Sequence, residues 1–342
     1  MKPEFDRNRR AVLVHGGLAA VTFAVCTAGA VPAQAQPSPD QTSAYPSRLV
    51  RLVVGFAPGG PTDVVARAFA EQASRALGQP FVVDNKPGAN TILAAQAVAG
   101  ARADGHTLLF GAINHTMIPA LYGERVKFDA VKSFQPVCTV ATSPTVLVVG
   151  PSLPVGSLTD FVQKVRESPG RITAGSPGVG SSGHFATEMF ARANDLKVLH
   201  VPYKGAAPVI TDIMGGQLDS AFATLGSVLA QVQAGKLTAL AVASPQRSTL
   251  MPDVPTFAQA GGQEFSADAW YGLLASAGTP PAVLQALERV ATDFARSDAA
   301  AEKLRGLGME ASLNCGEPFA RQVQQEVETY TRIARELGLQ AE

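Results

Sequence analysis

Short apolar stretches and amphipathic segments alternate along most of the chain beyond residue 47. The first stretch of this pattern contains apolar runs at 49–56, 81–83 and 107–111, separated by helical patterns at 62–77 and 90–99. Helices that separate short apolar strands are typical of parallel sheets whose faces are covered by helices. The pattern therefore predicts an α/β fold.

A second unit with the same pattern begins near residue 145. Its predicted strands lie at 145–150, 171–175, 198–202, 219–223 and 237–244, and its predicted helices start at Ser157 and cover 183–194, 206–214 and 227–235. Ser157 and Asp160 have the spacing of a helix-capping pair.

The tail returns to a strand at 269–276 and two amphipathic helices at 280–297 and 317–337. A helical tail of this kind often packs back on the first of two α/β units. We therefore expect domain 1 to comprise 48–145 and 250–342, and domain 2 to comprise 146–249. The hinge is expected near 143–147 and 243–268.

The first 35 residues have the features of a secretory signal peptide. A basic leader precedes a weakly apolar stretch, and small residues at Ala33 and Ala35 suit cleavage after Ala35. A retained membrane anchor fits less well, because Gly16 and Gly17 interrupt the apolar run. We expect a periplasmic protein with a linker at 36–47, exported by either the general or the twin-arginine route.

Composition narrows the classes of function. The chain has 342 residues, 46% of them hydrophobic, and its 28 basic side chains balance 28 acidic ones. Without a net field there is little to attract nucleic acid, so we expect no nucleic-acid partner. We also expect a monomer that binds a small molecule and no cofactor. Cys138 and Cys315 are the only cysteines beyond the signal segment. They form either one disulfide or two free thiols, and neither has the ligand spacing of a metal cluster.

The segment "PGGPTD" places a glycine turn at the start of the first long helix. Pro61 suits the first helical position and Asp63 complements the helix dipole, which predicts that the amides of Gly59 and Gly60 face a ligand. Free amides at a helix N-terminus bind anions. The alternative is an ordinary tight turn.

A similar Gly/Ser loop occurs at 173–190. Gly178, Gly180 and Gly183 satisfy G-x-G-x-x-G, but no acidic residue ends the next strand, which argues against a dinucleotide site. If the two loops face each other, they form a cleft whose amides and hydroxyls suit a carboxylate. Neither loop contains an Arg, whose burial would cost several kcal/mol.

Enzyme motifs are missing from the sequence. No G-x-S-x-G elbow and no H-E-x-x-H pattern occurs. We therefore expect a receptor without catalysis and without a metal. A secreted α/β enzyme that acts on a small carboxylate, with His115 or His184 essential to its rate, is the alternative.

The motifs resemble the Bug-type periplasmic solute receptors of tripartite tricarboxylate transporters. The resemblance runs through most of the chain and is carried by "VVGFAPGGPTDVVAR", "ADGHTLLFG", "GSPGVGSSGHFATEMF" and "VPYKGAAPVITDIMGGQLD". It implies a two-domain type II periplasmic-binding-protein fold, which closes like a Venus flytrap on a ligand held between the domains. The partner would be an integral-membrane transporter or a sensor kinase.

Carried over by position, the resemblance implies a ligand site drawn from both domains. The residues are Phe56, Gly59, Gly60, Thr62, Asp63, Asn114, His115, Ser176, Gly180, Ser181, Ser182, Tyr203 and Thr224. The sequence departs from the family in "GANTILAAQ", which replaces a glycine-richer turn. "FATLGSV" also lacks the polar residues expected for an amino group, which argues against an amino-acid ligand.

Overall fold

The computed structural model describes residues 45–203, 205–264 and 266–340. The predicted signal peptide (1–35) and most of the predicted linker (36–47) lie outside the described residues, so these remain predictions. No helix in the described part of the chain is both long enough and apolar enough to cross a membrane.

The chain forms two lobes, each built on one sheet. The N-terminal segment contributes β1 (Val50–Val54), α1 (Pro61–Leu77), β2 (Phe81–Asn85), α2 (Ile92–Ala99), β3 (Thr107–Ala112), α3 (Asn114–Tyr122) and β4 (Phe134–Ser143) to the first lobe. The second lobe contains β5 (Thr145–Val149), α4 (Leu158–Glu167), β6 (Thr173–Ser176), α5 (Ser182–Ala193), β7 (Leu199–Pro202), α6 (Ala206–Met214), β8 (Ser220–Thr224), α7 (Leu225–Gln233) and β9 (Thr238–Val242). The C-terminal segment adds β10 (Ala269–Ser276), α8 (Pro281–Ala295), α9 (Asp298–Gly306), β11 (Glu310–Ala311) and α10 (Glu317–Leu337) to the first lobe.

Both sheets are mixed, with four strands that run in one direction and the remaining strands antiparallel to them. The first has the order β11-β4-β10-β3-β1-β2, and the second has the order β7-β6-β8-β5-β9. In the first sheet β10 runs antiparallel between β3 and β4, and in the second β5 runs antiparallel between β8 and β9. The lobes therefore share one strand arrangement, with the carboxyl ends of four strands on one edge of each sheet. This is the predicted two-domain α/β fold.

Two crossovers connect the lobes. Pro144 alone separates β4 from β5, and residues 243–268 return the chain from β9 to β10. The crossovers are tied together, because the Thr145 hydroxyl donates to the carbonyl of Ala267 over 2.7 Å.

The second crossover differs from the sequence-based prediction in where the second domain ends. The sequence placed the end of the second domain at residue 249. In the structure, Met251 and Phe257 are buried in the hydrophobic cores of the second lobe. That packing extends the second lobe to about Ala267.

A disulfide joins Cys138 to Cys315 and decides between the two alternatives left open by the sequence. It links β4 to the segment that leads into α10, across a sequence separation of 177. The bond therefore lies within the first lobe, although the whole second lobe falls between its two cysteines in the sequence.

Candidate functional site

A cavity of about 460 Å³ lies between the two lobes. It is lined by Phe56, Ala57, Pro58, Gly60, Pro61, Thr62, Ala112, Ile113, Asn114, Ser182, Thr224, Ala269 and Tyr271. None of these lining residues carries a charged side chain. The lining is largely apolar, and its polar groups are few.

Four helices begin at this cavity. Thr62 lies in the first turn of α1, Asn114 starts α3, Ser182 starts α5, and Thr224 immediately precedes α7. The first N–H groups of a helix have no partner within the helix and carry a partial positive charge. The cavity can therefore bind an anion with backbone amides and hydroxyls alone.

The loop before α1 is held by a buried carboxylate. Asp63 accepts hydrogen bonds from the Gly59 N–H, from Nε and Nη2 of Arg67, and from Nδ2 of Asn85, at 2.8–2.9 Å. Although burial opposes ionisation, these bonds hold the pKa of Asp63 below its usual value. The Gly59 amide therefore donates to Asp63 and not into the cavity, and the assignment of Gly59 to the ligand site stays a prediction. Gly60 alone of the two glycines lines the cavity.

The loop before α5 is held by two stacked histidines. The rings of His184 and His200 are 3.8 Å apart and nearly parallel. His184 Nδ1 accepts from the Gly180 N–H over 3.0 Å, and His200 Nε2 lies 2.7 Å from Ser176 Oγ. The His184 N–H in turn donates to Ser181 Oγ, which caps α5.

Burial favours the neutral form of both histidines. Burial, with a smaller contribution from the neighbouring His200, lowers the pKa of His184 to about 4. Burial also lowers the pKa of His200. A neutral His184 can accept at Nδ1 and so hold the Gly180 amide.

Two further sequence candidates lie away from the cavity. His115 is buried with its ring against Phe134, its Nε2 is 2.8 Å from the carbonyl of Ala130, and burial lowers its pKa to about 4. The Tyr203 hydroxyl donates to Asp212 over 2.6 Å.

The thirteen sequence candidates thus divide into two groups. Phe56, Gly60, Thr62, Asn114, Ser182 and Thr224 line the cavity. Gly59, Asp63, His115, Ser176, Gly180, Ser181 and Tyr203 do not, and most of them hold the two loops in place. The reason is that partners within the fold already bind their polar groups: Asp63 binds the Gly59 amide, His184 binds the Gly180 amide, and Ala130 lies against His115.

Sequence reasoning missed Tyr271, which lines the cavity from β10. Its hydroxyl has no hydrogen-bond partner among the described residues. Every residue of β10 is buried, so no alternation of polar and apolar residues marks the side that faces the cavity. A tyrosine in an otherwise apolar strand was the available signal.

The lobes touch beside the cavity. A Cβ on Gly180, in the loop before α5, would lie 2.1 Å from a methyl of Leu121 in α3. A Cβ on Gly226, in α7, would lie 2.2 Å from the carbonyl oxygen of Leu307. Glycine is required at Gly226, where the neighbour is backbone, whereas at Gly180 the Leu121 side chain would have to move and the φ of 75° also favours glycine.

A family model and a curated relative both match most of this chain. Residues 65–339 match the model of the tripartite tricarboxylate transporter family receptor. Protein BugT of Bordetella pertussis is 31% identical over 327 residues, which cover 94% of this chain and 97% of BugT.

Two solved structures illustrate the likeness in fold. One is Rpa4515 of R. palustris with adipate, which is 32% identical with a TM-score of 0.76 over 87% of this chain and 100% of that chain. The other is MatC of Rhodopseudomonas palustris with bound malate, which is 30% identical with a TM-score of 0.71 over 85% of this chain and 100% of that chain.

Proposed function

The chain belongs to the receptor family of tripartite tricarboxylate transporters, and we propose that it binds an aliphatic dicarboxylate between its lobes and presents the closed form to a membrane transporter. Family members are solute-binding receptors, and the similar solved structures include periplasmic proteins. We propose that this chain acts in the periplasm as well.

The observation that carries the proposal is the convergence of four helix N-termini on a cavity lined without charged side chains. Neutral donors held by the fold stabilise a carboxylate without the desolvation of a buried cation. Such a site favours anions over zwitterions, because no carboxylate lines it to pair with an ammonium group.

The distribution of donors favours two carboxylates on one ligand. Gly60 and Thr62 approach from the first lobe, and Ser182 and Thr224 approach from the second. Apolar side chains, including Phe56, lie among them and suit a methylene chain. The related structures contain adipate and malate, and the apolar lining favours a ligand without hydroxyl groups. Because such a ligand binds both lobes, it stabilises the closed form.

The enzyme alternative receives less support. The two histidines that could have acted in catalysis are buried, and neither lines the cavity. Each is engaged in the fold, His115 with Ala130 and His184 with Gly180. A sensor kinase remains an alternative membrane partner, since it would bind the same closed form.

The test is thermal unfolding of the protein in the presence of each of five acids, followed by mass spectrometry of the recovered ligand. The acids are adipate, malate, citrate, hexanoate and glutamate. A ligand at about a hundred times its Kd should raise the free energy of unfolding by about 2.7 kcal/mol. Adipate should stabilise most and be recovered unchanged. Conversion of a ligand would favour the enzyme, and no stabilisation by any of these acids would contradict the proposal.

A glycine variant locates the site. At Gly60 an added Cβ would have Ala57 O as its nearest neighbour at 3.6 Å, so Gly60→Val should fold and should abolish binding by filling the cavity. Gly156→Val is the matched control, because that glycine precedes α4 with open space around it. Unchanged affinity in Gly60→Val would place the ligand elsewhere.

A further inference from the structure

The turn that leads into α2 has an unfavourable backbone. Asn90 has φ 48° and Thr91 has φ 73°, although neither residue is glycine. Asparagine tolerates the left-handed region, whereas a β-branched residue there is a genuine outlier. Strain of this kind persists only where surrounding structure maintains it, and it often lies beside functional groups.

The strained turn packs directly against the ligand loop. A Cβ on Gly55 would lie 2.5 Å from Cβ of Thr91. Gly55 follows β1 and immediately precedes Phe56, which lines the cavity. The position of Thr91 is therefore coupled to the backbone from which the first loop begins.

The side chain of Asn90 is bonded to a residue of the cavity. Its Oδ1 accepts a hydrogen bond from Nδ2 of Asn114 over 3.2 Å. Asn114 starts α3 and lines the cavity, and its side chain has no other hydrogen bond among the described residues. Without this bond the Asn114 amide would be free to rotate about its terminal torsion.

The other end of the Asn90 side chain is buried without a partner. Its Nδ2 has no hydrogen bond in the described part of the chain. A buried amide donor without a partner is costly, so a residue present only to form a turn would be better replaced by glycine. The side chain therefore has a cost to the fold, and the group it orders is Asn114.

We propose that Asn90 is a positioning residue for ligand binding, which fixes the amide of Asn114 so that its second N–H remains available to a carboxylate of the ligand. Asn90 itself need not touch the ligand. This inference rests on the proposed function, because Asn114 matters here only as a ligand-binding group.

The test is a double-mutant cycle with adipate as the probe. Asn90→Gly suits the left-handed backbone, so this variant should melt at or above the temperature of the wild type while its Kd for adipate rises about tenfold. Asn114→Ala should weaken binding as well, and adding Asn90→Gly to Asn114→Ala should have no further effect. Equal losses from Asn90→Gly in both backgrounds, or an unchanged Kd in the single variant, would overturn the inference.

A second measurement needs no ligand. In the ligand-free protein, NMR should show that one Nδ2 hydrogen of Asn114 exchanges several-fold faster with solvent in Asn90→Gly than in the wild type. Identical exchange would overturn the inference even if binding changed. If the wild type binds neither adipate nor the other acids, the proposed function fails and this inference fails with it. If the wild type binds adipate and Asn90→Gly binds it with the same Kd, the proposed function stands and only this inference fails.

Discussion

The two loops that flank the cavity are held by different chemistry. In the first lobe, the carboxylate of Asp63 pairs with Arg67 and binds the Gly59 amide. In the second lobe, neutral His184 binds the Gly180 amide and stacks on His200. Both arrangements fix a glycine amide beside a helix start. One depends on a full charge, whereas the other requires that a charge be absent.

This difference has consequences for each lobe. The charged arrangement is satisfied within the loop, since Arg67 neutralises Asp63 and no net negative charge faces the ligand. The neutral arrangement fails if His184 is protonated, because Nδ1 can then no longer accept. The first lobe is also cross-linked by the disulfide, and no disulfide joins described residues of the second lobe. We therefore expect the second lobe to be the more sensitive to its surroundings.

The largest expected effect comes from breaking the cross-link. Cys138→Ser combined with Cys315→Ser should lower the free energy of unfolding of the first lobe by about 3–5 kcal/mol, because a long loop of the unfolded chain is no longer closed. Urea denaturation followed by fluorescence measures this. Trp270, the single tryptophan, reports on the first lobe because it packs against Phe319. An unchanged midpoint would show that the bond contributes nothing to stability.

Removing the charge of Asp63 should have the next largest effect. Asp63→Asn disrupts a carboxylate that accepts four hydrogen bonds, and we expect a loss of about 3 kcal/mol in unfolding free energy. Adipate binding should weaken as well, since the Gly59 turn loses its anchor. Glu71→Gln is the matched control from the same helix. Its partner Arg75 is exposed, so about 0.5 kcal/mol is expected. Similar losses in both variants would contradict this account of the loop.

Much of the architecture could be predicted from the sequence, because it depends on local patterns. The strand at 269–276 and the helix at 317–337 occur as predicted. The Ser157 cap is confirmed, since its side chain accepts from the Asp160 N–H over 3.1 Å. The helix α3 was not predicted, because Pro119 interrupts a short segment without a clear apolar stripe.

The site was less predictable than the fold, for a physical reason. The position of Asp63 at a helix start is local, but its partner Asn85 lies 22 residues away in β2. Tyr271 reaches the cavity only because β10 inserts between β3 and β4, a pairing that no local pattern specifies. Hydrogen bonds formed after folding decide which polar groups of a loop remain available to a ligand.

Acid should weaken the second loop before the first. The pKa of His184 is about 4 in the folded protein against an ordinary 6.5, so stability present above pH 6.5 is lost as the pH falls towards 4. The full shift corresponds to about 3 kcal/mol. His200 is already part of this shift, whereas Glu188, with an oxygen 3.8 Å from Nε2, offsets part of it when His184 is protonated, so we expect about 2 kcal/mol.

His184→Gln provides the comparison for this pH effect. The difference in unfolding free energy between the wild type and this variant should shrink by about 2 kcal/mol between pH 7 and pH 4. Subtracting the variant also cancels the opposite contribution of Asp268, whose pKa burial raises to about 6. A difference that stays constant with pH would show that His184 does not titrate in this range.

The smallest expected effects distinguish the two ends of the ligand. Tyr271→Phe and Thr224→Val each remove one hydroxyl, on the first and second lobes respectively. Each should cost about 1 kcal/mol of adipate binding, or about fivefold in Kd, measured by calorimetry. Hexanoate has the same chain length but one carboxylate, so it should be weakened by only one of the two substitutions. The sensitive variant would identify the lobe that holds the single carboxylate. If both substitutions weaken hexanoate binding equally, one carboxylate contacts both lobes at once. The cavity would then hold a monocarboxylate as readily as a dicarboxylate.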